Sequence, residues 1–121
     1  MPKILVVDDE EDIREFTQRF FTKRGIEVLT ASNGAAALQL IKEQKPDLVL
    51  LDVLMDGITG IEVLKELLAN KNDIKVIIIT GTVIGDEKVM DEANNLSVCG
   101  FLHKPLILEE LGKIVLKKLK N

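Results

Sequence analysis

Aromatic side chains are scarce in this chain of 121 residues, which contains no tryptophan, no tyrosine and only four phenylalanines. Hydrophobic residues still make up 46% of the sequence, so a buried core has to be built from Val, Ile, Leu and Ala. We expect residues 1–121 to form one domain, since a chain of this length can bury a core without disulfides. Aliphatic cores of this kind suit a parallel sheet covered by helices on both faces.

Cysteine, long apolar runs and a large charge imbalance are also missing. The single cysteine, Cys99, cannot form an intramolecular disulfide, which favours a reducing compartment. The apolar run between Lys3 and Asp8 is too short for a signal peptide, and no run is long enough to span a membrane. The formal net charge of −4 argues against nonspecific binding to nucleic acid or to a membrane surface. We therefore expect a soluble, cytoplasmic protein.

Five short aliphatic runs alternate with segments of helical periodicity. The run containing Glu27 is interrupted by that charge and is typical of an edge strand, whereas three others are apolar on both faces. Five strand–helix repeats with right-handed crossovers predict a doubly wound α/β domain with a parallel sheet. The common doubly wound order with five strands is 2-1-3-4-5, and we apply that order here. The runs lie at 4–7, 26–30, 48–51, 76–79 and 98–102, and the helical segments at 9–24, 33–44, 61–68, 86–95 and after Pro105.

The helices are predicted from their apolar stripes and their end signals. Gly25 is expected to stop the first helix, and Asn33 is a plausible N-cap of the second. The last helix carries its predicted stripe at Leu108, Leu111, Ile114, Val115, Leu116 and Leu119.

Aspartates follow two strands that the predicted order makes neighbours. Asp8 and Asp9 come after the first strand and Asp52 after the third, at the edge where open α/β sheets bind ligands. Three carboxylates so close together repel one another unless a proton or a cation neutralises them. Mg²⁺ is the expected cation, because it takes one or two carboxylates, keeps several waters and accepts phosphate oxygens. The alternative is that these aspartates only cap helices, as Asp9 could.

The fourth and fifth strands end in further groups that phosphoryl transfer needs. Thr80 ends the fourth strand before Gly81, and Lys104 ends the fifth. Asp52 can serve as the nucleophile, while Lys104 holds one phosphoryl oxygen and the Thr80 hydroxyl or the Gly81 N–H holds another. Together with the aspartates, these groups predict a metal-assisted phosphoryl acceptor.

With these residues placed, the sequence resembles the receiver domains of the two-component response regulator family, from residue 3 to about residue 118. The resemblance implies a flavodoxin-like (βα)5 fold. It implies that Asp9 and Asp52 ligate Mg²⁺ directly, with Mn²⁺ able to substitute, that the Leu54 carbonyl is a third ligand, and that Asp8 assists partly through water. The matching segments are ILVVDDE at 4–10, ASNGAAAL at 31–38, PDLVLLD at 46–52 and FLHKP at 101–105, with Met55, Gly60 and Thr80.

The resemblance also implies a switch. Asp52 would be the phospho-acceptor, Lys104 would contact the phosphoryl group, and the Lys104–Pro105 peptide bond would be cis. Thr80 would be the switch hydroxyl and Phe101 the switch aromatic. Phosphorylation would then change the surface formed by the fourth helix, fifth strand and fifth helix.

The implied function is phospho-acceptance in two-component signalling. A sensor histidine kinase or a histidine phosphotransfer protein would donate the phosphoryl group, and an output protein or domain, or a second phosphorylated copy, would bind the changed surface. The chain would catalyse its own phosphorylation and dephosphorylation without being an enzyme for another substrate. The chain ends too soon after Leu119 for a DNA-binding domain, so a stand-alone receiver and a fragment of a longer regulator or hybrid kinase both stay open.

Three other functions are compatible with parts of the same pattern. A protein-interaction module of the same fold that acts without phosphorylation would be expected to lack one of the site residues. A phosphatase of the haloacid dehalogenase type needs an aspartate where Leu54 stands. A flavodoxin-type FMN binder needs a Ser/Thr/Gly-rich phosphate loop after the first strand, where the acidic sequence at 8–10 would repel phosphate.

Overall fold

The computed structural model describes residues 2–52, 60–69, 74–81, 100–104 and 106–120. Strands and helices alternate along the chain, and the predicted fourth helix at 86–95 lies outside the described residues. The elements are β1 (Lys3–Val7), α1 (Glu11–Thr22), β2 (Glu27–Ala31), α2 (Gly34–Gln44), β3 (Leu48–Asp52), α3 (Gly60–Ala69), β4 (Lys75–Gly81), β5 (Gly100–Lys104) and a C-terminal helix (Leu108–Leu119).

The five strands form one parallel sheet in the order β2-β1-β3-β4-β5. This confirms the predicted doubly wound topology and places β2, with its exposed Glu27, at an edge. In the register, Val7 at the end of β1 is level with Ala31 of β2 and with Leu51 of β3. Residues that directly follow β1 therefore lie beside the carboxyl end of β3.

The sheet has a separate hydrophobic layer on each face, because successive strand residues point to opposite sides. One layer packs the sheet against α2 and α3, and the other packs it against α1 and the C-terminal helix. The buried strand residues of the first layer are Leu5, Val7, Ala31, Val49, Leu51, Val76 and Ile78, and those of the second are Ile4, Val6, Val28, Leu48, Leu50, Ile77 and Ile79.

Local end signals explain where two of the helices stop and start. Asn33 caps α2, since its Oδ1 accepts a hydrogen bond of 2.8 Å from the Ala36 N–H, as predicted. Gly25 has a φ of 78° in the turn after α1, a left-handed conformation that glycine adopts without strain. The N-cap of α1 is Glu10, in an extended conformation, so α1 begins two residues later than predicted and Asp9 is not its cap.

The C-terminal helix buries a different set of residues from the one predicted, and α1 buries a polar side chain. Leu108 and Leu116 of the C-terminal helix are 36% and 39% exposed, because its buried face centres on Leu111 and Val115. In α1, the polar Thr17 is fully buried, and it lies one helical turn from each of two buried apolar residues, Ile13 and Phe21. No helix in the described part of the chain is long and apolar enough to cross a bilayer.

Candidate metal and phosphoryl site

The carboxylates of Asp8, Asp9 and Asp52 converge at the carboxyl ends of β1 and β3. Each contributes an oxygen that lies within 4.8 Å of the other two. The strand register causes this convergence, since Asp8 follows Val7 and Asp52 follows the register partner of Val7, Leu51. Asp8 is fully buried and Asp52 is 2% exposed, whereas Asp9 is exposed. The cluster is thus walled in on the sheet side and open to solvent at Asp9.

Asp8 is held in place through its backbone and through its side chain. Its N–H donates to the Ala31 carbonyl at 3.1 Å, which ties it to the end of β2. Its Oδ1 accepts from the Glu10 N–H at 2.9 Å, and its carbonyl accepts from Nη1 of Arg14 at 2.7 Å. The orientation of Asp8 is therefore fixed by β2, by the loop after β1 and by α1.

Arg14 is a contributor to this site that the sequence reasoning missed. It lies in the first turns of α1 and reaches back to the residue that follows β1. A usable signal was present, because helical side chains lean towards the helix N-terminus and α1 starts directly after the acidic segment.

The chemistry of the cluster fits a hard divalent cation. Burying the charges of Asp8 and Asp52 next to that of Asp9 is unfavourable without a neutralising partner. All three donors are oxygens, which suits Mg²⁺ or Mn²⁺ better than metals that prefer nitrogen or sulfur. The exposed side at Asp9 leaves room for the water ligands that Mg²⁺ retains. The three aspartates could therefore hold Mg²⁺ together with oxygens from a phosphoryl group.

The backbones of the other residues predicted to contact the phosphoryl group lie at the carboxyl ends of β4 and β5, on the same side of the sheet as the aspartate cluster. Asp52 is level with Ile79 of β4, so Thr80 lies one residue beyond it, and Gly81 of β4 is level with Lys104 of β5. The side chains of Thr80 and Lys104 fall outside what the structure describes. Their backbones place them where the prediction requires, and the contacts of their side chains stay predictions.

Of the three remaining predicted site residues, the structure describes one. Phe101 lies in β5 beside Ile78, is half-buried, and packs against the layer covered by α2 and α3. Leu54 and Pro105 lie outside the described residues. The Leu54 carbonyl ligand and the cis peptide before Pro105 therefore stay predictions.

Two open grooves lie on other parts of the surface and offer weaker chemistry. One, of about 550 Å³, is lined at the opposite end of the sheet by residues that include Lys42, Lys45 and Lys75. The other, of about 710 Å³, lies between α2 and α3. Within the described residues, the aspartate cluster is the one group of three acidic, His or Cys side chains close enough to share a metal ion. We therefore place the candidate site at the cluster and not in either groove.

Sequence relatives extend over most of this chain. Sporulation initiation phosphotransferase F of Bacillus subtilis is 37% identical over 117 residues, which is 97% of this chain and 93% of that protein. Regulatory protein AtoC of Escherichia coli is 35% identical over 118 residues, which is 98% of this chain but 25% of that protein. The chain thus spans nearly all of one relative and a quarter of another.

Solved structures show the same fold. A response regulator receiver domain protein from Clostridium thermocellum superposes with a TM-score of 0.89 at 30% identity, covering 99% of this chain and 95% of that one. Response regulator protein TrrA from Thermotoga maritima, solved in complex with Mg²⁺-BeF, gives a TM-score of 0.85 at 36% identity, covering 98% and 99% of the two chains. The family model of the response regulator receiver domain matches residues 4–116. The chain belongs to the family of response regulator receiver domains.

Proposed function

We propose that this receiver domain accepts a phosphoryl group on Asp52, with Mg²⁺ bound at the aspartate cluster, and passes the change to a partner protein. The observation that carries the proposal is the cluster itself. A carboxylate oxygen of Asp52, which is 2% exposed, lies within 4.8 Å of carboxylate oxygens of Asp8 and Asp9. The relatives support it, since one is named a phosphotransferase and the TrrA structure contains Mg²⁺-BeF.

Asp52 acts as the nucleophile in the proposed reaction. An Oδ of Asp52 attacks the phosphorus of a phosphohistidine on a sensor kinase or a phosphotransfer protein. The phosphorus–nitrogen bond breaks, and the imidazole nitrogen keeps the electron pair. Water later attacks the same phosphorus, which releases inorganic phosphate and regenerates the carboxylate. The chain supplies the nucleophile and the positioning, so it promotes its own phosphorylation and dephosphorylation and acts on no separate substrate.

The aspartates prepare the site for this chemistry. Asp9, Asp52 and the Leu54 carbonyl are the proposed direct Mg²⁺ ligands, and Asp8 assists partly through water. Mg²⁺ held there would offset charge on the phosphoryl oxygens. Lys104 contacts one of those oxygens, and the Thr80 hydroxyl or the Gly81 N–H contacts another.

The phosphorylated domain acts through its surface. Thr80 and Phe101 couple the new charge at Asp52 to the face that includes β5 and the C-terminal helix. An output protein or domain, or a second phosphorylated copy, binds that face. The protein carries out this signalling in the cytoplasm, where kinase and receiver meet.

The decisive experiment compares two substitutions in one strand segment. The wild type, Asp52→Asn and Asp47→Asn are incubated with acetyl phosphate and Mg²⁺, and phosphorylation is followed by intact mass. Asp47 precedes β3 and Asp52 ends it, so the same substitution is made at the two ends of one strand. Labelling is expected for the wild type and for Asp47→Asn, and not for Asp52→Asn, since the amide is a poor nucleophile.

Three results would contradict the proposal. Labelling of Asp52→Asn at the wild-type rate would exclude Asp52 as the acceptor. A wild type that is labelled equally well in EDTA would exclude the metal-assisted reaction. A wild type that no phosphodonor labels would favour the interaction module that works without phosphorylation.

A further inference from the structure

The hydrogen bond between Arg14 and the backbone of Asp8 joins α1 to the aspartate cluster. Nη1 of Arg14 donates to the Asp8 carbonyl at 2.7 Å, and the bond is partly buried. It spans six positions along the chain and bridges the point where β1 ends and α1 begins. Among the described residues, the Arg14 guanidinium donates to this backbone carbonyl, and no carboxylate lies within ion-pair distance of the guanidinium.

A cation at this place could influence Mg²⁺ binding in two opposite ways. As a positive charge near the cluster, Arg14 would repel Mg²⁺ and weaken its binding. As a donor to the Asp8 carbonyl, it would fix the backbone from which the Asp8 and Asp9 carboxylates project and would strengthen binding. Outer partners that orient metal ligands typically change metal affinity by about 10- to 100-fold when they are removed.

The geometry favours the positioning role. Two other hydrogen bonds hold the Asp8 N–H from β2 and its Oδ1 from the Glu10 N–H, and the Arg14 bond adds a side-chain contact from α1 at the Asp8 carbonyl. From that carbonyl the chain continues directly to Asp9. Asp9 is exposed, so the packing that confines Asp8 does not hold it in the same way.

We propose that Arg14 is a positioning residue of the metal site, which holds the segment from Asp8 to Asp9 in the conformation that binds Mg²⁺. The inference rests on the metal site proposed above and adds a residue that touches none of the predicted ligand oxygens. Its direction of effect distinguishes it from a simple charge effect, because removal of the guanidinium should weaken the binding of a cation and not tighten it.

The test measures the Mg²⁺ dissociation constant of the unphosphorylated protein by isothermal titration calorimetry, without any phosphodonor. Arg14→Met keeps an unbranched apolar stem and the helix propensity of the side chain and removes the donor and the charge. We expect it to weaken Mg²⁺ binding by about tenfold, the lower end of the range for such residues. Arg14→Lys keeps the charge without the planar fork and is expected to bind more weakly than the wild type but more tightly than Arg14→Met.

Arg19→Met is the matched control, since Arg19 lies exposed on the same helix and lines a shallow groove away from the cluster. It should leave the Mg²⁺ dissociation constant within about twofold, because its charge is screened at physiological salt. Unfolding of each variant in EDTA by circular dichroism reports stability separately, since a purely structural role lowers stability and leaves the Mg²⁺ affinity of the folded protein unchanged.

Each outcome decides the matter. Unchanged or tighter Mg²⁺ binding by Arg14→Met overturns the positioning role while the proposed function stands. If Arg14→Met does not fold, Arg14→Lys decides, because wild-type affinity in that variant would show that the guanidinium is not needed and would overturn the positioning role. A wild type that binds no Mg²⁺ overturns both the positioning role and the metal site of the proposed function.

Discussion

The two ends of the central sheet treat charge in opposite ways. At the amino end, the Lys3 N–H donates to Oδ2 of Asp47 at 2.8 Å, and the Asp47 N–H donates to the Lys3 carbonyl at 2.7 Å. The Lys3 ammonium lies 3.6 Å from the Glu27 carboxylate. At the carboxyl end, by contrast, three carboxylates lie within 4.8 Å of one another. The amino end places acids beside donors or a cation, whereas the carboxyl end places three acids beside one another.

This difference separates stability from function within one sheet. Paired charges at the amino end lower the free energy of the folded state whatever the solution contains, although each pair contributes little. Clustered charges at the carboxyl end repel one another, so the proposed metal binding would stabilise the folded state. A local conflict of this kind is expected at a functional site, where the rest of the domain compensates for it.

The largest effect is expected for Asp9→Asn, which removes one charge and one proposed Mg²⁺ ligand from the carboxyl end. Mg²⁺ affinity should fall at least about tenfold, or about 1.4 kcal/mol, because a proposed direct carboxylate ligand is lost. In EDTA the free energy of unfolding should rise by about 0.5–1 kcal/mol, because repulsion within the cluster is relieved. Urea unfolding with and without Mg²⁺ measures both changes, followed by circular dichroism since the chain has no tryptophan.

Asp47→Asn is the matched variant at the amino end and should leave the stabilisation by Mg²⁺ unchanged. The contrast between the two ends is wrong if Asp9→Asn and the wild type gain equal stability from Mg²⁺. It is also wrong if Asp47→Asn loses that gain.

A second substitution lies in α1, away from both ends of the sheet, and shows how stability changes when no charge is altered. Oγ1 of Thr17 is buried in α1 without a hydrogen-bond partner among the described residues. Thr17→Val replaces the hydroxyl with a methyl group of similar size, so the free energy of unfolding should rise by about 1 kcal/mol. The gain should be the same in Mg²⁺ and in EDTA by urea unfolding. A loss of stability would show that the hydroxyl is satisfied in solution.

A third substitution tests how much the paired amino end contributes. Asp47→Ala removes the carboxylate that accepts the Lys3 N–H, and the free energy of unfolding should fall by roughly 0.5–1 kcal/mol, since water replaces part of the exposed bond. Labelling of Asp52 by acetyl phosphate should keep its wild-type rate. A changed labelling rate would mean that the two ends of β3 are coupled, contrary to the separation argued above.

The sequence predicts the sheet and the aspartate cluster because both depend on regular rules. Strands buried on both faces read as unbroken aliphatic runs, and their alternation with helices predicts a parallel doubly wound sheet. The order 2-1-3-4-5 is a common one for such a sheet with five strands. Once β1 and β3 are neighbours, the residues that follow them have to meet, which brings Asp8 near Asp52 without any knowledge of side-chain conformation. The interrupted run at Glu27 likewise predicts the edge position of β2, which the structure confirms.

Features that depend on side-chain conformation were not predictable in the same way. The bond from Arg14 to the Asp8 carbonyl requires one particular rotamer of a long side chain, and spacing along the chain does not select it. Thr17 reads as a surface residue because its type is polar, yet it lies on the buried face of α1. Leu116 reads as core because its type is apolar, yet the rotation of the C-terminal helix leaves it 39% exposed. Residue type is a weak guide at the border of an apolar stripe.

The smallest effect is expected for Glu27→Gln, which removes the charge that faces the Lys3 ammonium at the edge of the sheet. The two side chains are 27% and 48% exposed and 3.6 Å apart, so solvent and salt screen most of their attraction. The Lys3 ammonium also keeps its 3.2 Å hydrogen bond to the Gln44 carbonyl. We expect the free energy of unfolding to fall by less than about 0.5 kcal/mol at low salt and by less still at high salt. A larger loss that high salt does not reduce would show that Glu27 stabilises β2 by packing, and the amino end would then owe its stability to contacts and not to paired charge.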